Sequence, residues 1–340
     1  MSKGKVIVTG GAGFIGSHTV VELAAAGYTP IVVDNLVNSR REVLNRLKQV
    51  TGGEVPFHEV DCTDEAALGE VFQSEGDVYG CIHFAAYKAV GESVERPMAY
   101  FRNNIGSTAV LMEQMVAHGT RHLVFSSSCT VYGEPDSIPV NEQSSLRPAT
   151  SPYGYTKQAC EQLIADACRA GNPLCATMLR YFNPIGAHPS AAIGELPVGH
   201  PNNLIPYLTQ AVAGLRGPLT VFGEDYPTPD GTCIRDYIHV VDLAKAHVAA
   251  LDKSGKSGIL NVYNLGTGKG ASVKEVIAAF ERVTGKSVPH EIGPRRAGDV
   301  VAIFADATKA HVELGWRAER SLEDALKDAW NWQEALGKQP

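Results

Sequence analysis

The sequence predicts an α/β protein: a doubly wound parallel sheet with helices on both faces, followed by a smaller mixed α/β substrate-binding region. Three observations carry this. Strand and helix signals alternate through the first half, as right-handed βαβ units do. The strand signals are continuously apolar rather than alternating, which marks strands covered on both faces. And the first of them, Lys5-Val6-Ile7-Val8-Thr9, runs straight into Gly10-Gly11-Ala12-Gly13-Phe14-Ile15-Gly16.

The elements follow in order. An amphipathic helix is expected from Phe14 to Ala26, then a strand at Thr29-Pro30-Ile31-Val32-Val33-Asp34. Further strands are expected at Val55 to Val60, at Cys81 to Ala86, at His122-Leu123-Val124-Phe125 leading into Ser126-Ser127-Ser128, and at Ala176 to Phe182. The pattern breaks at Asn183-Pro184. Pro184 to Asn203 is rich in Gly and Pro, and a loop that long inside a compact domain is usually functional. Residues 1–183 are therefore read as one domain and 184–340 as a substrate-facing region. Elements near 236–268, namely Ile238-His239-Val240 with its helix and Leu260 to Leu265, are read as returning to the first sheet.

A glycine string between a buried strand and a helix lets the backbone turn tightly against a pyrophosphate. The helix N-terminus, opened here by Phe14 and Ile15, points its amides and positive dipole end at the phosphates. This is the signature of a Rossmann-type dinucleotide site, with Gly10, Gly13 and Gly16 at the turn. Asp34 closes the second strand, where a carboxylate accepts hydrogen bonds from both ribose hydroxyls and repels a 2'-phosphate. NAD is favoured over NADP, although Arg40 and Arg41 lie just downstream.

Bulk properties exclude several classes. The 340 residues carry a net charge of -7, which argues against nucleic acid or anionic membrane as the main partner. No apolar run is long enough to span a bilayer, and the first strand begins almost at Met1, leaving no room for a signal peptide. Seven scattered cysteines fit free thiols and a cytoplasmic location. His118 and His122 have the spacing of a zinc pair, but Gly119 between them should end the helix, so no metal is expected.

Tyr153-Gly154-Tyr155-Thr156-Lys157 puts Tyr153 and Lys157 on one helical face. Ser128 ends a strand, at the sheet edge where open α/β folds bind ligands, and Tyr153 follows 25 residues later. Ser128 can then hydrogen-bond a substrate hydroxyl while Tyr153 removes its proton. A tyrosine with a pKa near 10 needs roughly 4 kcal/mol of help to act as a base at neutral pH. One cation at about 6 Å in an effective dielectric near 20 supplies roughly 2.8 kcal/mol. Lys157 alone falls short, desolvation opposes it, and a second positive charge, an oxidised nicotinamide ring, closes the gap.

This trio and the glycine turn resemble the extended short-chain dehydrogenase/reductase superfamily. Further strings resemble its UDP-glucose 4-epimerase family: Asp34-Asn35-Leu36, Lys88 to Ser93, Ser126 to Gly133, Ser151 to Gly154, Arg180 to Pro184, Pro201 to Leu204, Asp225 to Thr228, Arg235 to His239, Tyr263 to Gly266 and Pro294 to Asp299. The resemblance implies that Asn35 joins Asp34 at the adenosine ribose and that Asp61 and Cys62 flank the adenine. Phe84, Ala85, Lys88, Asn103 and Tyr181, with Tyr153 and Lys157, would hold the rest of the cofactor. Lys88, Ser128, Tyr153, Asn183, Asn203, Leu204, Val221, Phe222, Arg235, Arg296, Asp299 and Ile303 would hold a UDP-sugar, in a homodimer built through helices after the fourth strand and around Tyr153.

The implied reaction interconverts UDP-galactose and UDP-glucose, a step of galactose metabolism, through a 4-keto sugar that turns over and is reduced on its other face. An alternative is activity on the N-acetylated UDP-hexoses. A 4,6-dehydratase would need an Asp-Glu pair where Cys129 and Thr130 stand, and a non-catalytic NAD-binding protein would not need the Ser-Tyr-Lys trio. Ile303 falls where family members carry either a bulky Tyr or a small residue beside the hexose. Ile303→Tyr is expected to spare galactose epimerisation and suppress activity on the acetylated pair, read as the ratio of the two rates; equal loss of both refutes the gate.

Overall fold

The computed structural model describes residues 2–255, 260–296 and 298–338. Its strands are β1 (Lys5–Thr9), β2 (Thr29–Val33), β3 (Phe57–His58), β4 (Val78–His83), β5 (His122–Ser128), β6 (Cys175–Tyr181), β7 (Asn183–Ile185), β8 (Leu219–Phe222), β9 (Ile234–His239), β10 (Leu260–Leu265), β11 (Gly270–Ser272), β12 (His290–Gly293) and β13 (Ala302–Ile303). The helices are α1 (Phe14–Ala25), α2 (Glu42–Thr51), α3 (Glu65–Glu75), α4 (Val90–Glu95), α5 (Pro97–Tyr100), α6 (Gly106–Ala117), α7 (Pro152–Arg169), α8 (Leu204–Val212), α9 (Val240–Lys253), α10 (Val273–Thr284) and α11 (Leu322–Gly337).

Seven strands form one parallel sheet in the order β10-β6-β5-β4-β1-β2-β3. The order reverses between β1 and β4, and the crevice beyond the carboxyl ends of those two strands is where such sheets take ligands. The α/β class and the doubly wound sheet are as the sequence predicts. Valine, isoleucine and leucine from β1, β2, β4, β5 and β6 fill an apolar layer on each face of the sheet. Burial of that surface is the main force holding the sheet together.

Several expectations need correction. The strand read from Val55 to Val60 shrinks to Phe57–His58, because it lies at the sheet edge and Pro56 has no amide to give the ladder. Helix α1 is not amphipathic: His18, Thr19, Val20, Val21 and Leu23 are all buried, because α2 and α9 pack over the sides that a surface helix would leave open. The helix after His239 and the strand Leu260–Leu265 do return to the first sheet. Strand β9 does not. The far edge of β6 is taken by β10, so β9 pairs instead with β7, β11 and β13 in a second sheet. His118 follows the last residue of α6 and His122 opens β5, so they do not share a helical face.

The second sheet and the β8–β12 pair enclose their own apolar cluster with α8, α10 and α11. Only Phe182 separates β6 from β7, so the chain passes directly from the first sheet into the second. The Gly- and Pro-rich segment after β7 is pinned rather than free. Ala187 bridges Gly194, Arg46 Nη1 donates to the Ala192 carbonyl at 3.2 Å, and Trp332 Nε1 donates to the Glu195 carbonyl at 3.0 Å.

Candidate active site

The glycine turn sits at the carboxyl end of β1. Gly10 adopts a left-handed φ of 67°, and a Cβ on it would meet the Ala85 amide nitrogen at 2.8 Å, so the loops after β1 and β4 touch at this point. A Cβ on Gly16 would lie 2.2 Å from the Gly10 carbonyl oxygen. Gly13 precedes the helix and no side chain caps it. The backbone therefore closes to a bare cradle ending in helix amides, and that shape fits a pyrophosphate.

Asp34 stands beside the cradle. Its carboxylate accepts from the Ala12 amide at 3.1 Å, the Leu36 amide at 2.9 Å and the Ser39 hydroxyl at 2.8 Å. Asn35 donates to Asp61 at 3.0 Å, so these two form one polar rim. Cys62 differs from its neighbours. It lies in the apolar cluster with Val33 and Leu68, and burial, reinforced by Asp61 and Asp34, pushes its thiol up to about 12. Behind the loops, Thr9 and Thr108 hydroxyls hydrogen-bond the two nitrogens of buried His83 at 2.6 and 3.2 Å, tying β1, β4 and α6 together.

Helix α7 brings the trio to the same edge. Ser151 caps it by accepting from the Gly154 amide, and Pro152 supplies a fixed φ in the first turn. Tyr153 and Lys157 then face β5, and the Ser128 hydroxyl lies against the Tyr153 phenol and favours its ionised form. Burial outweighs that contact and drives the phenol far above its ordinary value, with Tyr181 adding to the effect. Lys157 is pulled the other way. Burial lowers it to about 8, only partly opposed by Cys160 and Glu161. Its ammonium donates to the Ser126 carbonyl at 2.7 Å and lies 4.9 Å over the Phe125 ring. The sequence arithmetic gave Lys157 most of the work of acidifying Tyr153; with the chain's own groups alone, desolvation wins.

Tyr181 hydrogen-bonds Ser126, and burial raises its phenol to about 12. Two supports were not legible in the sequence. Asn104 accepts from the Tyr87 amide at 2.8 Å and donates to the Tyr87 carbonyl and Thr156 hydroxyl at 3.0 Å each, fixing the segment after β4 to α7. Asn103 donates to Asn104 from the same π-helical turn, Phe101–Ile105. Glu161 accepts two bonds from Arg180, at 2.9 and 2.6 Å, and one from Ser127 at 2.5 Å beneath the trio. A glutamate one helical turn after Lys157 and an arginine inside the apolar run of β6 were the available signal.

The second sheet supplies the other wall. Arg296 grips Asp299 through two bonds, at 3.1 and 2.9 Å, and Arg235 reaches the same carboxylate at 3.5 Å. Phe222 lies under Arg296, at 5.5 Å, while the Val221 side chain is buried in the core. Asn183 lies in β7, and Asn203 and Leu204 open α8. Ala297, within the Pro294-to-Asp299 string, lies outside the described residues. Ile303 pairs with Arg235 in register but is not an open pocket wall. It is 4% exposed and packs with Val131, Tyr132, Val140 and Phe182, so a Tyr there must displace them at about 1–3 kcal/mol. Cys129, raised to about 11 by burial, and Thr130, whose hydroxyl is buried without a partner, offer no acid–base pair.

A Rossmann-type sheet with a glycine cradle and a Ser–Tyr–Lys trio at its switch-point edge defines an NAD-linked enzyme of the extended short-chain dehydrogenase/reductase class. The model of the NAD dependent epimerase/dehydratase family matches residues 6–266. A UDP-glucose 4-epimerase of Bacillus subtilis is 52% identical over 330 residues, 97% of each chain. A crystal structure of UDP-glucose 4-epimerase from Bifidobacterium longum in complex with NAD+ and UDP superposes with a TM-score of 0.94 at 48% identity, covering 97% of this chain and 98% of that one. One from Stenotrophomonas maltophila, with bound NAD and formylated UDP-arabinopyranose, gives 0.95 at 48%, covering 98% and 99%. The chain belongs to the NAD dependent epimerase/dehydratase family and, within it, to the UDP-glucose 4-epimerases.

Gly16→Ala is expected to weaken NAD binding at least tenfold, measured by titration of cofactor-stripped protein, because the added Cβ must push the Gly10 carbonyl out of the cradle. Unchanged affinity contradicts the assigned turn.

Proposed function

We propose that this chain interconverts UDP-galactose and UDP-glucose with NAD as a cofactor regenerated in each turnover. What supports the reading is the meeting of Ser128, Tyr153 and Lys157 at the end of β5, together with the glycine turn after β1 and the Arg235–Asp299–Arg296 cluster. NAD supplies a hydride acceptor at carbon-4 of the hexose and returns the hydride, so no net oxidation results.

The chain's own residues do the rest. Gly10, Gly13 and Gly16 cradle the cofactor's pyrophosphate and Asp34 its ribose. Ser128 hydrogen-bonds the sugar's 4-hydroxyl and Tyr153 takes its proton; the same phenol returns a proton when the 4-keto sugar is reduced on the opposite face. Lys157 keeps positive charge beside that phenol. Arg235 and Arg296, already drawn together by Asp299, suit a diphosphate, which guanidinium forks bind through paired hydrogen bonds. Firm binding of UDP and loose binding of the hexose leaves the sugar free to turn between the two half-reactions.

The same reading places the protein in the cytoplasm, and among the described residues no helix is long and apolar enough to cross a membrane. It also makes the protein a homodimer. Val94, Met98 and Tyr155 expose apolar surface on α4, α5 and α7, which pack together.

Incubation with UDP-galactose without added NAD should yield UDP-glucose with no steady rise in NADH absorbance. Accumulating NADH would indicate a dehydrogenase, and loss of water from the sugar a dehydratase. Tyr153→Phe should bind NAD and UDP as before while kcat falls by about 10²–10⁴; a near-normal rate would reassign the base.

A further inference from the structure

Glu195 has no part in the roles set out above, yet it stands where they meet. Its Oε1 accepts from Lys88 Nζ at 3.1 Å and from Asn203 Nδ2 at 2.7 Å. Lys88 follows β4, on the wall assigned above to the cofactor, and Asn203 immediately precedes α8, on the wall assigned to the nucleotide sugar. One carboxylate oxygen therefore joins the two walls.

The backbone beneath Glu195 is fixed. A Cβ on Gly194 would lie 2.5 Å from the Trp332 indole, so only glycine lets the segment lie on that ring. The same indole donates to the Glu195 carbonyl, and the Arg46 guanidinium lies 4.9 Å over its ring. The Glu195 side chain is 11% exposed while that of Lys88 is 51% exposed. The carboxylate is the rigid member of the pair and the lysine the mobile one. A free lysine carries rotamer entropy, which binding would otherwise have to remove. An ammonium has three donors, and Glu195 engages one of them.

We propose that Glu195 is a positioning residue, holding the Lys88 ammonium and the Asn203 amide so that their remaining donors face the UDP-hexose. The inference rests on the proposed function for the roles of Lys88 and Asn203. Because the pair spans both walls, it acts on the reacting sugar rather than on the UDP handle, which Arg235 and Arg296 hold.

Glu195→Gln tests this, since it keeps the shape and an oxygen acceptor for Asn203 but removes the charge that holds Lys88. kcat/KM for UDP-galactose should fall about tenfold, with UDP affinity within twofold of wild type. In a Lys88→Met background the same substitution should cost less than twofold, because the interaction is already gone. A full tenfold loss in that background, or a parallel loss of UDP binding, would show a merely structural role. A gain in kcat/KM would show that Glu195 competes with the substrate for Lys88. Either overturns the proposal. A second reading does not depend on turnover: acetylation of Lys88 by acetic anhydride, followed by mass spectrometry, should run at least threefold faster in Glu195→Gln. An unchanged rate overturns the ion pair itself, whereas a wild-type protein inactive on UDP-galactose counts against the proposed reaction alone.

Discussion

The arrangement depends on keeping two ionisable groups, Tyr153 and Lys157, out of water at the carboxyl edge of the parallel sheet. Burial disfavours the charged form of each, so the phenol is driven up and the ammonium down to about 8. A phenol driven up in this way does not act as a base at neutral pH on its own. On the proposed reading, the phenol becomes a base only when further positive charge enters the same dry volume. The glycine turn after β1 lies at the same edge of the sheet, and the nicotinamide ring of the cofactor that fits it carries positive charge only in its oxidised form. Proton removal is thereby linked to the presence of a hydride acceptor.

The scaffold provides this with few parts. The switch point between β1 and β4 opens the crevice, and Gly10 and Gly16 let the backbone close it to phosphate size. The Glu161–Arg180 pair offsets its own charge beneath β5, and burial of so many polar groups is tolerable because most find partners, the Thr130 hydroxyl and one ring nitrogen each of His18 and His247 being exceptions. The second sheet grows directly from β6, so its arginine–aspartate cluster is fixed relative to the trio by the covalent chain as well as by packing. On the proposed reading, nucleotide and chemistry are held by different parts of the fold, as a sugar that must turn over requires.

Much of this was legible in the sequence, and the reasons are local. Continuous apolar runs and the Gly10-to-Gly16 string specify strand, turn and helix within a few residues, so the first sheet and its cradle could be read directly. Tyr153 and Lys157 share a helical face by their spacing, and Ser128 at the end of a nearby strand is what gave that pair meaning. The failures are non-local. Whether Ile234–His239 joins the first sheet or the second depends on β10 having taken the edge of β6, which no window around residue 238 reveals. The burial of α1 depends on α9, more than two hundred residues away. Asn104 and Glu195 look like ordinary polar residues until the fold brings Thr156 to one and Lys88 and Asn203 to the other. Ile303 has the right register beside Arg235, but its burial depends on packing against Val131 and Phe182.

The most direct test is the ionisation of Tyr153 itself. It can be read as the tyrosinate absorbance of the wild type minus that of a Tyr153→Phe control, titrated with and without oxidised NAD. The account predicts that NAD lowers the pH of ionisation by several units, to near neutrality, and that without it the phenol stays protonated into strongly alkaline solution. The same titration midpoint in both samples would contradict it.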